Sequence, residues 1–332
     1  MKKIISLILC AVMLCAAFTG CSGKNDKVAE TRQAVLDYIK SIEGNGILSG
    51  QQESTWKSSP DYEMDYIYEA SGKYPAIRGL DFISKYYEDE SDPKEYVKDY
   101  QKIVDRSIEW WNKGGLVTIC WHWGAPPDTH GYAASKKEID LDEAFTEGTE
   151  LNKAILEEMD EVAESLKQLQ DEGVIVLWRP FHEFDGKWFW WGMDGEENFI
   201  KLWQLMYDRY TNYHELNNLI WVLGYSGSVR EGWYPGDEYV DITGLDSYSK
   251  AVPVTSYKRL NEQLGGKKPF AFHECGTMPL PEDLKENDMK FVWFLNWHTD
   301  RLTKDNSVER INEVYNSDYV ITIDELPNFK GE

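Results

Sequence analysis

The chain is short of usable cysteine. It has five cysteines, but Cys10 and Cys15 fall in an N-terminal apolar run and Cys21 follows that run closely, which leaves Cys120 and Cys275. Two thiols do not make the disulfide framework of a small secreted domain, and we expect both to be buried free thiols. A structural zinc site is disfavoured as well, because there are no Cys pairs to hold the ion.

Positive charge is also scarce. Lys and Arg number 35 against 58 Asp and Glu, which gives a formal net charge of −23. A surface of this sign repels phosphate-rich partners, so nucleic acid is disfavoured. Anionic polysaccharides are disfavoured for the same reason. A neutral glycan meets no such repulsion.

Several motifs of common enzyme classes are missing. No Gly-x-Gly-x-x-Gly turn follows a predicted strand and no Walker loop is present, which argues against dinucleotide and P-loop sites. The segment Gly224-Tyr225-Ser226-Gly227 is not the Gly-x-Ser-x-Gly elbow of esterases. His182-Glu183 begins a zincin-like pattern, but Gly186 stands where its second histidine is needed. We predict no metal and no organic cofactor.

The N-terminus predicts an export signal. Met1-Lys2-Lys3 precedes an apolar run over residues 4–18 that is too short, with these flanks, to span a membrane. Thr19-Gly20-Cys21 then resembles the end of a bacterial lipoprotein signal. That resemblance implies a signal over 1–20, lipid on Cys21, a tether over 21–27 and a place on the cell envelope. An ordinary secretory signal cut elsewhere is the alternative.

Beyond the tether, apolar runs alternate with amphipathic segments, and no linker divides residues 28–332. Helical spacing predicts an outer helix over 28–42 and further helices over 62–70, 93–111, 147–172, 196–215, 256–264, 283–289 and 307–315. Eight strands are predicted over 46–51, 75–81, 115–123, 174–183, 219–226, 241–249, 269–276 and 291–298. This alternation in one domain predicts a (β/α)8 TIM barrel, with an open doubly wound sheet as the alternative.

Polar residues gather where these strands end. The ends carry His122, His182-Glu183, Asp246 to Tyr248, His273-Glu274 and Asn296 to His298, and the working face of such a barrel is this rim. Glu183 and Glu274 would face each other across the mouth. Retaining glycoside hydrolysis needs two carboxyl groups about 5–5.5 Å apart, one as acid/base and one as nucleophile. The alternative for each is an ordinary rim residue, solvated or ion-paired.

The surroundings of the two glutamates predict different roles. Desolvation near His182 and Trp188 would raise the pKa of Glu183 and keep it protonated as a general acid. Glu274 would stay ionised as the nucleophile if it accepts hydrogen bonds, for instance from Tyr248 and Arg179.

Trp188, Phe189, Trp190 and Trp191 form an aromatic loop after Glu183. Their flat faces suit sugar rings, although packing within the domain would also explain them. Trp190, Trp233 and Tyr234 could equally extend a cleft or fill a core.

The segment Trp178 to Glu183, with Gly186, Trp188 and Trp191, resembles the acid/base region of glycoside hydrolase family 26, whose members are mostly β-mannanases with a (β/α)8 fold. Residues 48–52, 117–123, 244–248 and 272–276 agree, so the resemblance runs from about 46 to 298. It implies Glu183 as acid/base, Glu274 as nucleophile and Tyr248 as the nucleophile's partner. The other implied substrate-binding residues are His122, Trp123, Arg179, His182, Trp188 (leaving-group side) and Trp297 (beneath the cleaved sugar).

The resemblance implies a retaining, endo-acting enzyme that cleaves β-1,4-mannosidic bonds in a neutral plant polysaccharide: mannan, glucomannan or galactomannan. We expect a monomer that meets the membrane only through its lipid. A related β-glucanase or xylanase is the alternative enzyme, because aromatic platforms do not report the C2 hydroxyl that separates mannose from glucose. A glycan-binding lipoprotein on a catalytically dead barrel is the alternative from another class.

Overall fold

A computed structural model describes residues 23, 25–55, 59, 61–83, 85–86, 96–97, 99–127 and 131–331. The predicted signal over 1–20 and Cys21 lie outside these described residues, as does Pro93, where a helix start is predicted. The described parts form one barrel with its surrounding helices.

The centre of the fold is a closed barrel of parallel strands. Its strands are β1 Ile47–Gln52, β2 Ile77–Asp81, β3 Leu116–Cys120, β4 Val176–Arg179, β5 Leu219–Tyr225, β6 Ile242–Ser247, β7 Phe270–Cys275 and β8 Phe291–Asn296. Each strand pairs with the next, and β8 pairs with β1, where Trp293 lies opposite Leu48. This closure confirms the predicted (β/α)8 barrel. Among the described residues, three short strands lie outside this ring: Val320–Ile321 pairs with the start of β1, and Lys85–Tyr86 pairs with Tyr96–Val97.

Helices surround the barrel. They are α1 25–41, α2 Tyr62–Ser71, α3 Tyr100–Asn112, α4 Glu150–Asp171, α5 Glu196–Asp208, α6 Val254–Leu264, α7 Pro281–Glu286 and α8 Val308–Tyr315. Shorter helical segments cover Gly131–Ala134, Leu141–Phe145, Trp190–Met193 and Asp300–Thr303. Helix α5 continues into a π-helical turn at Arg209–Tyr213.

The strands are buried because helices cover their outer faces and side chains fill the barrel. All the residues of β1 to β5, β7 and β8 are buried, and burial on both faces explains the nearly continuous apolar sequences of β3, β5 and β8. Helix α4 is buried along one side only. Thr149 caps it by accepting a hydrogen bond from the Asn152 backbone, and Ile155, Met159 and Val162 turn one stripe toward the core.

Several predicted boundaries were wrong, among them the end of the fourth strand, which was predicted at Glu183 and lies at Arg179. The helix predicted over 93–111 begins at Tyr100, because Tyr96 and Val97 pair with a neighbouring strand instead. The polar residues 25–27, predicted as part of a tether, already belong to α1. Polar side chains suit the exposed first turn of a helix as well as they suit a tether, so composition did not separate the two. Cys120 and Cys275 are buried free thiols, as predicted.

Helix α1 lies against the end of the barrel where the strands begin. Its Arg32 donates from Nε to the backbone oxygen of Leu219, the first residue of β5, and also binds Asp241, just before β6. Val35 and Ile39 of the same helix are fully buried. The opposite end, where the strands finish, is therefore the open one. In the portion of the chain that is described, none of the helices combines the length and apolar character needed to traverse a bilayer.

Candidate active site

A cleft lies at the C-terminal ends of the strands. It encloses about 400 Å³ and is lined by Asp81, Ile83, His122, Tyr132, His182, Glu183, Phe189, Tyr248, Glu274, Trp297, His298 and Arg301. These residues follow β2, β3, β4, β6, β7 and β8, so six of the strands contribute to one surface. Both predicted catalytic glutamates line it.

Glu183 is held by a strained turn after β4. Phe181 and Glu183 have positive φ angles of 52° and 53°, which cost non-glycine residues about 1–3 kcal/mol each. Hydrogen bonds stabilise the turn: Trp191 Nε1 donates to the backbone oxygen of His182 at 2.9 Å, and the Glu183 backbone N–H donates to Gly224 at 2.8 Å. This conformation explains how Glu183 enters the cleft when the strand itself ends at Arg179.

A buried aspartate fixes the same loop to the next one. Asp185 is fully buried and accepts backbone hydrogen bonds from Ser226 at 2.7 Å and from Arg230 at 2.9 Å. The acid-bearing loop after β4 is therefore tied to the loop after β5, which limits its movement relative to the cleft.

The environment of Glu183 favours its protonated form. Burial, and then the negative charge of Glu274, raise the pKa of Glu183 to about 7. Trp188 opposes this rise, because its Nε1 donates to Glu183 Oε2 at 3.0 Å. A carboxyl group with such a pKa can donate a proton near neutral pH.

Glu274 lies in a different environment. Arg179 Nη1 donates to its Oε1 at 3.0 Å and the Tyr248 hydroxyl donates to its Oε2 at 2.7 Å, as predicted. Burial raises the pKa of Glu274, while the Arg179 charge and the Tyr248 hydrogen bond act to lower it. Both contacts favour the carboxylate, so Glu274 is the better placed of the pair to act as an anion.

Arg179 does not line the cleft, although a substrate contact was predicted for it. It is completely buried, and it also donates to Thr118 Oγ1 at 2.9 Å and Gln52 Oε1 at 3.0 Å. Its role in this structure is to hold the Glu274 carboxylate from beneath.

His273 and Asp246 support Arg179 from the other side. Arg179 Nη1 lies 3.2 Å from His273 Nε2, and a guanidinium can only donate, so this nitrogen accepts. The His273 proton is then on Nδ1, 2.6 Å from Asp246 Oδ1. Burial and the Arg179 charge hold the pKa of His273 well below its usual value, which keeps the ring neutral.

Two other histidines, His122 and His182, form the cleft wall near Glu183. His122 Nε2 lies 3.1 Å from His182 Nε2, and His122 Nδ1 lies 2.6 Å from Asp81 Oδ2. Both histidines line the cleft, as predicted. Asp81 was missed, because one acidic residue ending a predicted strand carries no distinguishing signal.

The aromatic residues divide between cleft and core. Trp188 is 38% exposed beside Glu183, and Trp297 lines the cleft near Glu274, so both can offer a ring face. Tyr132 is 48% exposed on the same surface and was not predicted. Lys136 Nζ lies 4.3 Å from its ring centroid, a cation–π contact that covers one face of the ring.

Trp123 was wrongly predicted as a sugar contact. It is 1% exposed, and its ring stacks on Trp121 with centroids 4.1 Å apart and meets Trp190 edge-on at 4.9 Å. Trp190, Trp191 and Trp233 are buried too, so they fill the core and do not extend the cleft. Tyr234 lies at a separate surface cavity.

Within the part of the chain that the structure describes, two groups of potential metal ligands occur at the strand ends: Asp81, Cys120 and His122, and Asp246, His273 and Glu274. In each group the aspartate and histidine are 2.6 Å apart, a hydrogen-bond distance, so their atoms face each other and not a shared centre. Burial raises the pKa of the Cys120 thiol well above its usual value, which disfavours the thiolate that a metal requires. The aspartate and histidine of each group are therefore a hydrogen-bonded pair and not two metal ligands.

A parallel (β/α)8 barrel that places two carboxyl groups of unequal environment in one cleft at its C-terminal mouth has the architecture of the barrel glycoside hydrolases. The chain belongs to glycosyl hydrolase family 26, whose sequence model matches residues 24–325.

Individual relatives agree with this membership. A mannan endo-1,4-beta-mannosidase of Thermothelomyces thermophilus is 35% identical over 92% of this chain, which spans 63% of that relative's length. A β-mannanase from a symbiotic protist of the termite Reticulitermes speratus, solved with a gluco-manno-oligosaccharide, superposes with a TM-score of 0.78 at 32% identity, covering 88% of this chain and 93% of that one. A Podospora anserina β-(1,4)-mannanase superposes with a TM-score of 0.78 at 33% identity, covering 90% of this chain and 67% of that one.

The surroundings of Glu183 predict its titration. We expect its carboxyl group to titrate near pH 7, and the Trp188→Phe variant, which keeps the ring but loses the N–H donor, to raise that pKa by about 0.5–1 unit. Carboxyl carbon NMR with labelled glutamate measures both values. Trp203→Phe is the matched control, since it loses an N–H bond to the Tyr239 backbone away from the cleft. A pKa near 4.5 in the unaltered protein would contradict the description of this site.

Proposed function

We propose that this chain is an endo-acting β-1,4-mannanase that hydrolyses its substrate with retention of anomeric configuration. The observation that carries the proposal is the contrast between Glu183 and Glu274 in one cleft: the pKa of Glu183 is raised to about 7, while Glu274 accepts hydrogen bonds from Arg179 and Tyr248. One carboxyl group is thus prepared to give a proton and the other to attack.

In the first step, Glu274 attacks the anomeric carbon while Glu183 protonates the departing glycosidic oxygen. The bond between that carbon and oxygen breaks, and a covalent glycosyl-enzyme forms on Glu274. Arg179 and Tyr248 orient the attacking oxygens, since each binds a different oxygen of the carboxylate.

In the second step, Glu183 acts as a base. Having lost its proton, it accepts one from a water molecule, which attacks the anomeric carbon and releases Glu274. The sugar leaves with its original configuration, and Glu183 is protonated again. Activity requires protonated Glu183, so kcat/KM should fall as the pH rises through about 7.

The remaining cleft residues fit sugar binding on both sides of the cleaved bond. Trp188 bonds to the acid/base and thus stands on the leaving-group side, whereas Trp297 stands near the nucleophile. Rings at such positions stack on the C–H faces of sugars. His122 and His182 line the cleft wall between them and can meet sugar hydroxyls.

The substrate class rests on the relatives and on charge. The Thermothelomyces relative is named a mannan endo-1,4-beta-mannosidase, and the termite-protist structure contains a gluco-manno-oligosaccharide. A chain of net charge −23 is suited to a neutral polymer of this kind. We propose that the enzyme acts as a monomer.

A substrate panel tests the proposal. We expect release of short oligosaccharides from mannan, glucomannan or galactomannan, with product NMR showing the β-anomer first. Mixed-linkage β-glucan and xylan should give little product. Preferential cleavage of either of those polymers would support the related glucanase or xylanase instead. Binding without any sugar release would support a catalytically inactive glycan-binding protein.

Variants of the two glutamates separate their roles. Glu183→Ala should lower kcat/KM on mannan by about 10²–10⁴-fold, yet retain substantial activity on an aryl mannoside whose leaving group needs no proton. Glu274→Ala should lose activity on both substrates, because no covalent intermediate can form. Glu313→Ala, on the exposed face of α8, is the control and should be unchanged. Near-normal turnover by Glu274→Ala would overturn the assignment.

We further propose that the protein is a lipoprotein of the bacterial cell envelope, with residues 1–20 removed and lipid on Cys21. The basic start, the apolar run and Cys21 directly after Gly20 support this. Lipid on one cysteine would hold the enzyme at the membrane without a spanning helix.

Membrane attachment is testable in cells expressing the full chain. Labelled fatty acid should enter the unaltered protein and be absent from Cys21→Ala, and the variant should leave the membrane fraction while the unaltered protein stays with it. Cys120→Ala serves as the control because that thiol is buried. Equal labelling of the Cys21 variant, or a freely secreted unaltered protein, would reject the anchor.

A further inference from the structure

Asp81 is an acidic group of the cleft that the proposed mechanism does not use. It is 7% exposed, and its Oδ1 accepts backbone hydrogen bonds from Ile83 and His122, both at 3.0 Å. Its other oxygen, Oδ2, lies 2.6 Å from His122 Nδ1. An ionised carboxylate can only accept, so His122 must carry a proton on Nδ1.

Because Nδ1 of His122 is protonated, the charge of this ring depends on its other nitrogen, Nε2, which faces His182. The Nε2 atoms of His122 and His182 are 3.1 Å apart, with their ring planes at 80°, so one proton is shared between them. If it resides on His122, that ring is a cation, and His182 is neutral because it carries its own proton on Nδ1. If it resides on His182 and Nδ1 of that ring carries none, both rings are neutral, and the pair holds one proton fewer.

Electrostatics favours the cation on His122. Burial lowers the pKa of His122, but the charge and hydrogen bond of Asp81, together with the charges of Glu274 and Glu183, raise it, and the net shift is upward. Burial and the charges of His122 and Arg179 hold the pKa of His182 well below its usual value. The shared proton therefore belongs to His122 when the pair is charged.

The cation faces both catalytic glutamates. The charged or titratable groups around His122 are Asp81 from β2, Cys120 from β3, His182 and Glu183 after β4, Glu274 from β7 and Tyr132. Phe189 and Trp297 complete the surroundings as neutral rings. The charge of His122 lowers the pKa of both Glu183 and Glu274.

We propose that Asp81 is a positioning residue that keeps His122 as a cation beside the two glutamates and thereby sets the pH range in which the enzyme works. The inference rests on the proposed function. Asp81 does not act on the substrate itself; its effect reaches the reacting groups through the charge of His122.

The Asp81→Asn substitution reverses the direction of the hydrogen bond to His122 Nδ1 and changes the shape of the side chain little. The two backbone N–H groups of Ile83 and His122 fix an oxygen at the Oδ1 position, so the amide nitrogen takes the place of Oδ2 and faces His122 Nδ1. His122 must then accept at Nδ1 and becomes neutral. In the serine protease triad, the same substitution likewise imposes the wrong histidine tautomer.

The test is the pH profile of kcat/KM on a mannan oligosaccharide. Without the cation, both glutamates lose a charge that lowers their pKa, so both limbs of the profile should move to higher pH by about one unit. Activity on the acidic side should fall about tenfold, while activity on the alkaline side rises. A lower plateau with unmoved limbs would mean a merely structural role and would overturn the proposal.

Asp160→Asn is the matched control. Asp160 lies 2.6 Å from His214 Nε2 on the outer helix α4, so the same chemical change occurs at an Asp–His pair away from the cleft. Its profile should match that of the unaltered enzyme. A shift as large as that of Asp81→Asn would show that the effect does not come from His122.

A second measurement needs no variant to be active. In the unaltered protein with ¹⁵N-labelled histidine, His122 should show two N–H nitrogens at pH 6 and His182 one. A neutral His122 at that pH would overturn the proposal even if Asp81→Asn fails to fold. Because this readout is independent of hydrolysis, it separates failure of the inference from failure of the proposed function.

Discussion

The buried ion pair between Arg179 and Glu274 is the interaction on which the rest of the cleft depends. Arg179 is fully buried within the barrel and binds side chains of β1, β3 and β7 at once. A buried pair of this kind adds little net stability, because desolvation offsets the attraction. What it provides is position: the guanidinium fixes a carboxylate at the top of a closed sheet whose strands cannot move independently.

The pKa values of the neighbouring groups depend in part on this fixed anion and on Arg179. Burial and the negative charge of Glu274 raise the pKa of Glu183. Burial and the charge of Arg179 keep His273 neutral, whereas the carboxylate of Asp81 raises the pKa of His122. Opposite protonation states can therefore coexist in a small volume. Because each is fixed by a hydrogen bond of 3.2 Å or less, the cleft needs little reorganisation when the charges change.

The sequence predicted those features that depend on local pattern. All eight strands were found because mostly apolar runs alternate regularly with amphipathic segments, and Glu183 and Glu274 were found because each lies at or just beyond the end of such a run. The aromatic loop was harder: four adjacent rings look alike in sequence, yet Trp188 is partly exposed while Trp190 and Trp191 are buried. Asp81 was missed because its partner His122 is 41 positions away, a contact that only the closed barrel creates.

The placement of α1 has a consequence for how a long polymer reaches the enzyme. This helix crosses the end of the barrel at which the strands start, with Arg32 seated against Leu219 and Asp241. Helix α1 therefore occupies the underside, with the whole depth of the barrel between it and the catalytic groove. A long ligand lying across the groove would not meet this helix.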